Sequence, residues 1–377
     1  MAASCAPTLP SLSIVSSSSS NSPRRFRRSR VVAMASAGKK VYAPGVAVSE
    51  GNGGLQKIDL KSPHGSEAEI YLFGACVTSF KVPNGKDLLF VRPDAVFNGQ
   101  KPISGGIPHC FPQFGPGPMQ QEQRYQQRRC PSRPDWKEAK PVLTGARSHT
   151  RPDWKSQMGV QDRYHPAQEG NLTGARDHTR PHGFARNVNW SIADSEVTEG
   201  DPAVTLELKD DSYSRSMWDF SFQALYKVSL HSTSLSTTLK ITNMDEKPFS
   251  FNSALHTYFR ASITGVSVKG LKGCKTLNKD PDPKNPLEGK EEREEVTFPG
   301  FVDCIYLGAP SELILDNGLG DKIAISNSSW SDAVLWNPHL QMEACYKDFV
   351  CVENAKIETV QLEPKQSWVA EQKIELV

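Results

Sequence analysis

Residues 220–230, FSFQALYKVSL, and 235–245, LSTTLKITNMD, decide the fold. Apolar and polar residues alternate along both runs, the period of a strand with one face in a core and the other in water. Working outward, the same texture recurs on both sides: EIYLFG (69–74), CVTSFKV (76–82), DLLFVRP (87–93), AVTLELKDD (203–211), ELILDNG (312–318), KIAISNS (322–328), AVLWNP (333–338), FVCVENA (349–355) and WVAEQKIELV (368–377). Pro83-Asn84-Gly85-Lys86 separates two of these runs and is a hairpin signal. Helical periodicity is almost absent. Many short strands with Gly, Pro and Asn punctuation predict an all-β protein, an antiparallel sandwich or barrel, and such folds exceed 250 residues as single domains.

The formal charge of +2 hides an asymmetry. Residues 1–49 carry seven Lys or Arg and no acid, and residues 121–180 carry twelve basic against seven acidic residues; without these two stretches the chain is net acidic by about ten charges. An acidic body argues against a nucleic-acid binder, which must neutralise phosphates, while one or two arginines suffice for a small anion. No apolar run is long enough to span a bilayer, so no membrane association is expected. The eight Cys contain no C-x-x-C pair, so buried reduced thiols are expected.

Residues 1–49 combine an unbroken run from Ser16 to Ser20 with Arg24, Arg25, Arg27, Arg28 and Arg30. Basic residues that follow a polar Ser run, in a segment free of acid, predict a transit peptide, here plastid-directed, ahead of a domain over 50–377. Residues 121–180 break the strand texture: LTGARSHTRP (143–152) recurs as LTGARDHTRP (172–181), and RPDWK occurs at 133–137 and 151–155. Two copies without apolar periodicity cannot stack a core, so a disordered, solvated insert is expected. A basic arm for nucleic acid is the functional alternative, weakened by sparse aromatic interleaving.

No G-x-G-x-x-G, G-x-x-x-x-G-K or H-E-x-x-H motif is present, so neither a cofactor nor a metal is expected. Four other segments stand out: GGIPHCFPQFG (105–115), HGFARN (182–187), LHTYFR (255–260) and FVCVENA (349–355), with FVDCIYL (301–307) between the last two. His109 and Cys110 look like a nucleophile pair, but adjacent strand residues point to opposite faces, which favours core and loop roles for them. Gly105 and Gly106 permit positive φ or a close approach. Glu353 interrupts the apolar run Phe349 to Val352, so burial should raise its basicity.

Together these ordered motifs resemble the aldose 1-epimerase superfamily, in particular its glucose-6-phosphate 1-epimerase branch, over about residues 50–120 and 181–377. The resemblance implies a large galactose mutarotase-like β-sandwich that interconverts the α and β anomers of a hexose phosphate without metal or cofactor; with the address read in residues 1–49, a monomer acting in the plastid is expected. The family's general acid falls on His256 and its general base on Glu353. Its substrate contacts fall on His182, Arg186 and Asp303, with Ser104 and Gln121 completing the substrate-binding set. Arg186 offers a planar fork for a phosphate dianion. Many relatives carry an Arg at the position of Ser104; Lys101 lies three residues earlier. Trp336-Asn337-Pro338 is expected to form a turn behind the site. The bland alternatives are a hydrogen-bonded core His256, an edge-strand Glu353, a surface ion pair at Arg186, and, for the whole chain, a non-catalytic carbohydrate-binding protein of the same fold.

Overall fold

The computed structural model describes residues 41–115 and 182–377. Gln121, the expected insert at 121–180 and the address-like segment through residue 40 lie outside the described residues. The first sheet is a four-stranded meander of β1 (Val46–Glu50), β2 (Gln56–Lys61), β3 (Glu67–Tyr71) and β4 (Cys76–Lys81). Since β1 begins at Val46, the folded body starts earlier than the expected boundary at residue 50: Val46 pairs with Leu60 and is buried, so this short strand belongs to the domain.

The alternating runs quoted first form the middle of a nine-stranded sheet. Here β6 (Ser191–Thr198), β7 (Asp201–Lys209), β8 (Phe222–Leu230) and β9 (Ser234–Asn243) follow one another as antiparallel neighbours. Next to β9 come β21 (Ser367–Leu376), β18 (Lys322–Ser328), β17 (Glu312–Asp316), β12 (Ser267–Lys269) and β15 (Glu295–Thr297). Alternation becomes burial: Phe222, Ala224, Tyr226, Val228 and Leu230 of β8 are all buried, and the residues between them are partly exposed. The one α-helix among the described residues, α1 (Ser212–Met217), is a single capped turn and a half, with Asp211 accepting from the Ser214 N–H.

The third sheet has eight strands and carries the site. Its path runs β14 (Leu287–Lys290), β13 (Lys275–Asn278), β16 (Val302–Leu307), β19 (Asp332–Asn337), β20 (Phe349–Leu362), β10 (Phe249–Leu255) and β5 (His109–Cys110), with β11 (Tyr258–Arg260) also pairing β20. One face supplies Phe251, Leu255, Tyr306, Leu335, Val350 and Val352 to the core that includes the inner face of β8 and β9. Its other face holds two small apolar clusters: Cys110, Ala254, Ile305, Val334 and Ala355 in one, Phe90, Tyr258, Cys345, Phe349 and Cys351 in the other. Two sheets face to face over one core make the predicted antiparallel β-sandwich. Because the first half of β20, Phe349 to Ala355, is buried on both faces, the one carboxylate within it, Glu353, must sit in a dry place.

The expected hairpin at Pro83 to Lys86 closes, with Val82 N–H donating to the Lys86 carbonyl and Gly85 at φ 83°. Its second arm pairs through isolated bridges instead of a ladder. The six described cysteines are buried and free.

Candidate active site

The site begins with a break in a strand. Strand β10 pairs Leu255 with Asn354 of β20, and β11 resumes the same register with Tyr258 opposite Cys351. His256 therefore lies opposite Glu353, on the face turned away from the main core. The break is stitched down: the His256 N–H donates to the Pro108 carbonyl, the Val352 N–H to the Thr257 carbonyl, and the Gln372 side chain reaches Thr257 Oγ1. The imidazole stacks on Tyr258 at 4.9 Å between ring centroids and meets the edge of Trp336 at 5.6 Å. These rings fix its plane.

His256 Nδ1 stands 3.3 Å from Glu353 Oε1, close enough to attract but without hydrogen-bond alignment. The Glu353 side chain is 1% exposed and its Oε2 has no hydrogen-bond partner, and the same is true of His256 Nδ1. Burial pushes the Glu353 carboxyl well above the usual carboxylate range, and burial together with the charges of the neighbouring His182 and Arg186 holds the His256 imidazole well below its own. Unsatisfied buried polar atoms are costly, and here two of them, His256 Nδ1 and Glu353 Oε2, belong to one opposed pair.

His182 completes the histidine side. Its ring is 5.9 Å from that of His256 and 5.2 Å from Phe114, and its Nδ1 accepts from the Gly115 N–H, which leaves Nε2 to carry the proton. Burial and the adjacent Arg186 push its pKa down to about 3. Its backbone sits at φ 64°, an uncommon conformation for a residue with a Cβ. Gly183 follows at φ 69°, where a Cβ would stand 2.1 Å from the Phe111 carbonyl oxygen, so only glycine lets the HGFAR segment lie against β5. Arg186 is on the single 3-10 turn Ala185–Asn187 that this segment forms, half-buried, and its charge reaches His182, His256 and Glu353.

Asp303, on β16, is ion-paired with Lys279 at 3.0 Å. Lys279 was missing from the sequence-based candidates, because it sits in the turn-rich stretch Asn278-Lys279-Asp280-Pro281 and resembles any surface lysine there. Its ammonium lies 5.2 Å over the Phe114 ring, and its side chain is only 18% exposed.

The structure thus brings His256, Glu353, His182, Arg186 and Asp303 to one region. Ser104 is placed by its backbone, whose carbonyl accepts from the Arg92 N–H at 3.0 Å. Gly105 and Gly106 permit a close backbone approach: a Cβ on Gly106, at φ 67°, would stand 2.1 Å from the Val77 carbonyl oxygen, and one on Gly105 2.4 Å from Val91 Cα. His109 and Cys110 point to opposite faces as expected. His109 packs between Trp190 and Tyr226, and Cys110 joins the cluster on the site face. Trp336 lies within β19, which ends at Asn337, instead of starting a turn, and Asn337 donates to the carbonyls of Tyr346 and Phe349.

Three ligand-type side chains, His256, Cys351 and Glu353, lie within 4.8 Å of one another. Burial pushes the Cys351 thiol well above its ordinary pKa, which keeps it protonated beside the acid–base pair. The grouping reads as an acid–base site.

The family model for aldose 1-epimerase matches residues 56–122 and 163–375. This chain belongs to the aldose 1-epimerase family. As an aldose 1-epimerase relative it is a carbohydrate epimerase by family, with a sugar as its expected small-molecule substrate. The stretch left unmatched, 123–162, falls inside the repetitive segment, and the match resumes before that segment ends. A protein of Cenchrus ciliaris, provisionally named a glucose-6-phosphate 1-epimerase, is 31% identical over 334 residues, 84% of this chain and 83% of its own length. One from Escherichia coli with the same provisional name is 27% identical over 77% of this chain and 79% of its own. Among solved structures, a Salmonella typhimurium protein provisionally described as a mutarotase superposes with a TM-score of 0.66 at 22% identity, covering 89% of this chain and 94% of that one. A galactose mutarotase-like protein from Clostridium acetobutylicum gives 0.61 at 14% identity, over 88% and 98%. These superpositions place the sandwich among galactose mutarotase-like folds.

Proposed function

We propose that the protein interconverts the α and β anomers of a hexose 6-phosphate, glucose 6-phosphate first among them, by acid–base ring opening at His256 and Glu353. The observation that carries this reading is the apposed pair itself: an imidazole and a buried carboxyl group 3.3 Å apart, each with an unsatisfied polar atom. Glu353, as carboxylate, takes the proton of the O1 hydroxyl. His256, as imidazolium, gives a proton to the ring oxygen, which keeps the bonding pair as the C1 to O5 bond breaks and the C1 carbonyl forms. After the C1–C2 bond turns, both protons return as O5 adds to the other carbonyl face.

Burial favours the uncharged form of both partners. The resting pair is therefore carboxyl and imidazole, and the reactive form, carboxylate and imidazolium, is its minor proton tautomer; once formed, desolvation makes each partner a stronger base or acid for the forward transfer. His182 and Asp303 are read as contacts to sugar hydroxyls, and Arg186 as the grip on the phosphate, since its guanidinium forms a bidentate fork. The names of the relatives from Cenchrus ciliaris and Escherichia coli support the phosphorylated substrate. The acid-free, Ser- and Arg-rich composition of residues 1–49 supports delivery to a plastid.

Polarimetry of freshly dissolved α-glucose 6-phosphate and α-glucose tests the reading. Faster relaxation of the phosphorylated sugar supports it. Acceleration of glucose alone would remove the phosphate from the proposal, and acceleration of neither sugar would leave a carbohydrate-binding protein.

A further inference from the structure

We propose that Lys279 is a positioning residue for the acid–base pair: its ammonium holds Asp303 against the site and supplies the positive charge that keeps the Glu353 carboxylate ready to accept a proton. The proposal rests on the reading of Glu353 as the base.

Cross-strand register places the lysine. Strand β13 pairs Asn278 with Cys304, and one step further the Lys279 N–H donates to the Asp303 carbonyl at 2.9 Å, so the two residues are opposed. Asp303 is opposite Trp336, Trp336 opposite Cys351, and Cys351 opposite Tyr258. These five residues form one row across the sheet. In the neighbouring row Leu277 opposes Ile305, Ile305 opposes Val334, and Val334 opposes Glu353, with His256 beyond. Opposed residues share a face, and so do residues two apart on a strand, so both rows face the site.

Lys279 is also part of a chain of side-chain contacts that rims the site. Its ammonium lies over Phe114, Phe114 packs on His182, His182 on His256, and His256 on Glu353. The ion pair at 3.0 Å leaves both partners largely buried, at 18% and 20% exposure, where charge is weakly screened. The charged and titratable groups around Glu353 are His256 across the strand break with His182 packed on it, Tyr258 and Cys351 beside it, Cys110 from β5, Asp303 and Lys279 from the β16 and β13 side, and Arg186 from the HGFAR turn. Lys279 acts on Glu353 ahead of Arg186, while Arg186 acts on His182 and on His256 ahead of Lys279. Two cations thus serve two halves of the site. Lysine suits its half because a compact ammonium can hold Asp303 and still act as a point charge on its neighbour.

The test is the pH profile of kcat/KM with glucose 6-phosphate for wild type, Lys279→Met, Lys279→Arg and Asp303→Asn. The acid limb of Lys279→Met should move to higher pH, with kcat/KM on that limb falling about tenfold per unit of displacement. Lys279→Arg should return the limb toward wild type, and Asp303→Asn, which removes a negative charge, should move it to lower pH. A Lys279→Met limb that stays in place while activity falls equally at every pH would overturn the proposal, and so would a loss confined to KM. Melting curves of both Lys279 variants separate misfolding from either outcome. Should Glu353→Gln keep full activity, it is the reading of Glu353 that falls, whatever the lysine variants do.

Discussion

His256 and Glu353 occupy opposed positions of one antiparallel register, 3.3 Å apart at Nδ1 and Oε1, although the strand that carries His256 is broken at that point. The break frees the imidazole from the ladder, while the unbroken register keeps it aimed at the carboxyl group. Catalytic placement here is a product of sheet geometry.

The pH dependence follows from the direction of the Glu353 shift. A carboxyl held well above 4.5 in the folded protein regains its proton sooner on acidification than an ordinary glutamate does. The acid limb of kcat/KM should therefore lie above pH 4.5, and it reports the coupled pair, not one residue. A profile flat down to pH 4.5 would contradict the buried base.

Arg186→Ala should raise KM for the phosphorylated sugar roughly 10–100-fold, the loss of one or two charge-assisted hydrogen bonds. Kinetics with an unphosphorylated hexose should be nearly unchanged. Equal losses on both substrates would argue against a phosphate contact.

His109 makes a prediction about stability instead of activity. Wedged between Trp190 and Tyr226, it is held neutral by burial, with its pKa pushed down from 6.5 to about 3. The unfolded chain binds a proton there below about pH 6.5 and the folded chain does not, so stability is full above that pH and declines as pH falls toward 3. His109→Phe should flatten that decline, by about 1.4 kcal/mol for each pH unit in the window. Chemical denaturation at pH 7 and pH 5 measures it, and an unchanged difference between the two pH values would refute the assignment.

Asn337 is fully buried and donates to the carbonyls of Tyr346 and Phe349 at 2.9 and 2.8 Å. Asn337→Ala orphans both acceptors and should cost about 2–4 kcal/mol of stability, read from the denaturation midpoint.

Much of this was legible before the structure. Strands β7 to β9 declared themselves because alternation in AVTLELKDD and FSFQALYKVSL is the direct imprint of a half-buried sheet. Glu353 could be read as buried because a lone acid directly after the apolar run Phe349 to Val352 has nowhere wet to go. His182, Arg186, His256 and Asp303 were found through their motifs, which carry family resemblance but not distance. What stayed hidden depends on pairing between distant strands: Lys279 became visible only through its opposition to Asp303, and the His256 to Glu353 contact only through a register that survives a broken strand.

The most direct test of the account is two-dimensional exchange NMR on the anomeric protons of glucose 6-phosphate, run with the wild-type protein and with Glu353→Gln. The account predicts α-to-β exchange well above the spontaneous rate for wild type, and for Glu353→Gln a loss of roughly 10²–10⁴-fold with the sugar still bound. Binding without accelerated exchange by the wild type, or undiminished exchange by Glu353→Gln, would contradict it.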